Sequence, residues 1–136
     1  PPSFPAKILL SLVDLGIPYS MNMIPVSRDY YKRNPETVEG IVRAYTEGVA
    51  ALTTQKERAL KVIVKYARFT DPKYIEDHYR DSVTYLDKVP RAEPEALATI
   101  LEFMGKKGTP PETFADNSIV DRLAREGFVD KLYQKR

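Results

Sequence analysis

Asn34-Pro35 stands just ahead of Val38, Ile41, Val42, Tyr45, Val49 and Leu52, and no other stretch narrows the possible folds so far. These apolar positions recur at i, i+3 and i+4, the spacing that lays side chains along one face of a helix. Proline suits the first helical position, where its missing N–H has no partner to lose. An Asn before it can cap the orphan backbone donors of the first turn. A long amphipathic helix therefore starts near residue 35 and turns one apolar face to a core. Immediately upstream, Pro25-Val26 reads as a strand end. Ser27 reads as the cap of a short helix through Arg28-Asp29-Tyr30-Tyr31-Lys32-Arg33.

The same signs continue along the chain. Thr54-Gln55-Lys56-Glu57 has capping-box spacing, with Leu60, Ile63, Val64 and Ala67 as the buried stripe behind it. Asp71-Pro72 opens a helix that places Ile75, Tyr79, Val83 and Leu86 on one face and stops before Pro90. Glu93-Pro94 opens another, with Leu97, Ile100, Leu101 and Met104, closed by Gly105. Lys106 to Pro111 reads as a loop. A last helical pair, about Ser118 to Glu126 and Val129 to Gln134, is divided by Gly127, a residue suited to left-handed backbone after a helix end.

Two strands are expected before the helices. Ala6 to Leu15 mixes β-branched and apolar residues as a strand buried on both faces would. Pro18 biases Ile17 towards extended backbone, and Met21 to Val26 reads as a second strand that Pro25 confines to an edge. The expected fold is a helix-rich α/β domain with about two short strands and five to seven helices. Residues 1–26 would be its strand and crossover segment, and 27–136 its helical portion. The helices follow no fixed period, which argues against a solenoid.

At 136 residues the chain has the size of one domain, able to bury a core without staples. Its net charge of +2 arises from acids and bases mixed along the helices, so no nucleic-acid partner is indicated. No window approaches the roughly 18–20 apolar residues of a membrane span. The absence of cysteine excludes disulfides, thiolate metal sites and a thiol nucleophile. One histidine, His78, excludes a two-histidine relay and reads as a boundary residue. Nine tyrosines suit cleft walls or interfaces, although Tyr45, Tyr66, Tyr79 and Tyr85 have the spacing of packing residues. Arg28 could grip an anionic solute through two parallel hydrogen bonds, while Asp29 beside a helix N-terminus is favourable electrostatics. No cofactor or metal motif is present.

Asp14-Leu15-Gly16-Ile17-Pro18-Tyr19, then Ser27-Arg28-Asp29-Tyr30-Tyr31-Lys32-Arg33-Asn34-Pro35-Glu36-Thr37-Val38, resembles the C-terminal part of the solute-binding proteins of ABC importers for nitrate, sulfonates, taurine and thiamine precursors. Phe114-Ala115-Asp116-Asn117 and Leu123-Ala124-Arg125-Glu126-Gly127-Phe128-Val129 are similar to that family's closing helix. The resemblance spans most of this chain and under half of a typical member. It implies the C-terminal portion of a type II periplasmic-binding-protein fold, with a signal segment and first half upstream. It also implies a noncatalytic, periplasmic or extracytoplasmic protein that takes a small organic or anionic solute and delivers it to an ABC permease. In that family the chain after this tyrosine passes the cleft, which makes Tyr19, Ser20, Met21 and Asn22 the expected solute contacts, with Arg28 nearby in sequence. The family often has glycine and a hydroxyl residue here; Ser20-Met21-Asn22-Met23 leaves the solute open. Two other classes stand beside this one. The first is a helical interaction module that self-associates through surface left by a missing half, and the second is an enzyme related to thiamine-precursor synthesis.

Overall fold

The computed structural model describes residues 15–20, 23–68 and 70–134, and their regular structure is helical. In chain order come α1 (Arg28–Arg33), α2 (Pro35–Thr54), α3 (Lys56–Ala67), α4 (Pro72–Tyr85), α5 (Pro94–Phe103), a 3₁₀ turn (Pro111–Thr113), α6 (Ser118–Arg125) and α7 (Phe128–Tyr133). The expected α/β class is corrected accordingly, since no strand occurs among the described residues. Residues 23–26 of the expected second strand are irregular, and Met23, Ile24 and Val26 are exposed. A strand needs a neighbour to take its backbone N–H and C=O groups, and Pro25 removes one donor from this segment. The rest of that strand, Met21 and Asn22, lies outside the described residues. So does the expected first strand, except Leu15, which stands in a turn with Gly16 at φ +62°.

The chain divides into two compact units. One comprises Pro25–Arg91 with Asp116–Arg136 and holds α1 to α4, α6 and α7. Its core lies where α2 meets α6; Leu123, in that core, and Thr46 of α2 are both 0% exposed. Val38, Ile119 and Leu123 form the cluster there, with Tyr31, Val42 and Phe128 packed against it. The buried face of α2 runs Val38, Thr46, Val49 and Ala50. The apolar stripe alone predicts a face rotated from this one, because Ile41 is exposed and Thr46, a polar residue, is buried. Thr46 tolerates burial because its hydroxyl donates to the Val42 carbonyl at 2.8 Å, so no polar group is orphaned.

α3 packs on α2 and α4 but buries only Ala59, and α4 buries only Tyr79. Of the expected α3 stripe, Leu60 and Ile63 are half-buried while Val64 and Ala67 are exposed. Tyr45 is half-buried as a packing residue would be, whereas Tyr66 and Tyr85 are exposed by 72% and 63% and do not pack. The second unit is described by residues 15–20, 23, 24 and 92–115. In it α5 buries Ala96, Leu97 and Leu101. Met104, expected on that stripe, is the helix C-cap and is exposed.

Candidate functional site

The sequence-derived site residues fall in two places. Tyr19 and Ser20 follow the Leu15-Gly16 turn in an irregular segment, Tyr19 exposed and Ser20 half-buried. Met21 and Asn22 lie outside the described residues. Arg28 is exposed at the first position of α1, in the other unit. Ser27 caps that helix as expected: its Oγ accepts from the Tyr30 backbone N–H at 3.2 Å. Asp29 takes the acidic first-turn position, favourable at the positive end of the helix dipole. His78 is exposed on α4, and its carbonyl accepts from Ser82 Oγ at 2.8 Å.

The best-built polar arrangement joins α2 to α6, and sequence reasoning did not find it. Glu39 receives a two-pronged bond from Arg122, Nη2 to Oε2 at 2.6 Å and Nη1 to Oε1 at 3.4 Å. Arg43 adds Nε to Oε1 at 2.9 Å from one turn further along α2. Glu126 stands 3.8 Å from Arg122 and 4.0 Å from Arg43, which also lies 4.9 Å over the Phe128 ring. The Arg122 hydrogen bond, followed by that of Arg43, holds the Glu39 carboxyl below its ordinary range, and the same contact raises the Arg122 guanidinium. The Arg122 bond to Glu39 ties α6 to α2. Each half is an i, i+4 pair visible in the sequence, but the meeting of residues 39 and 122 depends on the tertiary fold.

A second polar cluster lies where α2 turns into α3. Lys56 Nζ reaches Glu76 Oε1 at 2.6 Å and sits 5.3 Å from the Tyr79 ring, and the Glu76 bond raises the lysine above its usual value. An open hollow of about 500 Å³ is lined there by Thr54, Gln55, Lys56, Glu57, Arg58 and Lys61. The expected capping box is absent from it. α2 runs on through Thr54, whose hydroxyl donates back to the Ala50 carbonyl at 2.6 Å, and Gln55 precedes α3 without a side-chain cap. A second hollow of about 450 Å³ is lined by Arg91, Ser118, Asp121, Ala124 and Arg125, with Arg91 and Asp121 paired at 2.5 Å. No group of three or more His, Asp or Glu able to hold a metal ion occurs among the described residues. No helix among them is long and apolar enough to cross a membrane. No family model, curated protein or solved structure matches the chain.

Proposed function

We propose that the chain is a C-terminal part of the solute-binding component of an ABC importer, capturing a small organic or anionic solute without chemistry upon it. The observation that carries this reading is the segment before α1. Leu15, Ile17, Tyr19, Met23, Ile24 and Val26 are all exposed, in sequence order with the Ser27-capped helix and the Asn34-Pro35 start of α2. Six uncovered apolar side chains in one short segment are costly in water, and they suit a stretch that meets further protein and a bound solute. Tyr19 offers an aromatic wall with a polar tip, and Ser20 and Asn22 short hydrogen-bonding groups. The protein would then work outside the cytoplasmic membrane and hand its solute to a permease.

Calorimetric titration of the complete open reading frame's product with nitrate, an alkyl sulfonate and an aminopyrimidine tests the reading. One of the three should bind with a Kd on the order of 1 μM. Tyr19→Ala should weaken that binding roughly tenfold, about one good contact. Failure of all three to bind would overturn the solute-binding reading. The exposure of Val62, Val64, Phe103 and Met104 favours a second reading, a self-associating helical module. Light scattering separates the two, because a strictly monomeric, folded chain contradicts self-association.

A further inference from the structure

α3 carries a basic face that its packing does not use. At about 100° per residue, Arg58, Lys61 and Lys65 fall on one side of the helix, and Arg68 continues the row at its C-cap. All four are exposed. The opposite side holds buried Ala59 and half-buried Leu60 and Ile63, in the helix that packs on α2 and α4. One acidic residue, Glu57, stands four residues before Lys61 at the edge of this face. Among the described residues none of the four meets a carboxylate: Arg58 Nη1 donates to Gln55 Oε1 at 3.2 Å, and Lys65 Nζ lies 5.2 Å from the Tyr66 ring. Elsewhere Arg43, Arg122, Lys56 and Lys107 all have acidic partners. Val62 and Tyr66 stand exposed beside the row.

We infer that this face of α3 docks on an anionic lipid surface. The row runs roughly 15 Å at a helical rise of about 1.5 Å per residue, and its Arg58–Lys61 end borders the open hollow where α2 turns into α3. Two of its cations are lysines on long flexible stems, which laterally mobile headgroups can meet one by one. Val62 and Tyr66 supply what an interfacial helix places at the headgroup boundary, an apolar body and a ring with a polar tip. The inference stands independently of the solute-binding reading, because no residue of the proposed solute site takes part in it.

Co-sedimentation of the full chain with vesicles tests it, using phosphatidylcholine alone and a phosphatidylcholine–phosphatidylglycerol mixture. The chain should pellet with the anionic vesicles only, and added salt should release it. Each basic residue near such a surface contributes about fivefold, so replacing Arg58, Lys61 and Lys65 by Gln together should weaken partitioning roughly a hundredfold. Far-UV circular dichroism checks that this variant folds; if it does not, the salt response of the unaltered chain decides. Equal binding to both vesicle types, indifference to salt, or unchanged binding by the folded variant would overturn the inference. So would retention on polyglutamate without vesicle binding, which would point to an acidic polypeptide instead.

Discussion

The contact of α2 with α6 and the paired helices α3 and α4 belong to one compact unit and are built to different standards. The first buries Leu123 completely in a cluster with Val38 and Ile119 and is joined by the Glu39, Arg43, Arg122 and Glu126 charges. The second buries one residue on each helix, Ala59 and Tyr79, and leaves Val62, Val64, Tyr66, Tyr74 and Tyr85 exposed. Similar apolar content thus yields a core in one region and open surface in the other. The difference teaches that α2 and α6 hold the core of this unit, while α3 and α4 leave apolar and aromatic side chains at its surface.

Removing the buried leucine should separate the regions most sharply. Leu123→Ala is expected to cost about 2–5 kcal/mol, transfer energy plus the cavity it leaves. Urea unfolding followed by circular dichroism measures it. Acid probes the same contact through its charges. Because Glu39 has its folded pKa depressed by Arg122 and Arg43, its stabilising contribution is present above the ordinary glutamate value, about 4.3. It is lost as the pH falls through the lower folded value. Glu39→Gln should flatten the stability profile in that acid window, and an unaltered profile would remove the clamp from the account.

Smaller effects sharpen the comparison. Ser27→Ala should cost about 1 kcal/mol through the lost cap on α1, whereas Asn34→Ala should cost less, since Asn34 makes no side-chain cap to α2. Arg68 ends α3 at φ +56°, a left-handed conformation that glycine adopts freely. Arg68→Gly should therefore stabilise by up to about 1 kcal/mol in thermal melts. Val62→Ala, on the exposed face of α3, should stay within about 0.5 kcal/mol. A large loss there would mean that α3 is better packed than its exposure indicates.

Local signals were legible in the sequence wherever one side chain and its own backbone decide the outcome. Ser27 and Asp71 cap as read, Pro35, Pro72 and Pro94 open their helices, and Gly127 takes φ +71° between α6 and α7. Signals that depend on a competing partner were misread. Asn34 has the position of a cap, yet its Nδ2 donates backwards to the Tyr30 carbonyl at 3.1 Å, closing α1 instead. Thr54 satisfies the helix it ends and stands one residue before Gln55, the position that precedes α3, so its capping-box pattern with Glu57 is out of register with that helix start. The strand at residues 23–26 failed because β-branched composition does not supply a neighbouring ladder. Of the proposed site, Tyr19, Ser20 and Arg28 could be placed one by one. Their grouping as a site comes from motif order alone, and the Glu39–Arg122 clamp from tertiary packing alone.

The central claim is that Leu15, Ile17, Tyr19, Met23 and Ile24, all exposed, belong to a solute site completed by further protein. Side-by-side calorimetry of the 136-residue chain and the complete open reading frame's product, with the same nitrate, sulfonate and pyrimidine solutes, tests it directly. The account predicts binding on the order of 1 μM by the complete product and at least about a hundredfold weaker binding by this chain. Micromolar capture by the 136-residue chain alone, or no capture by either, would contradict it.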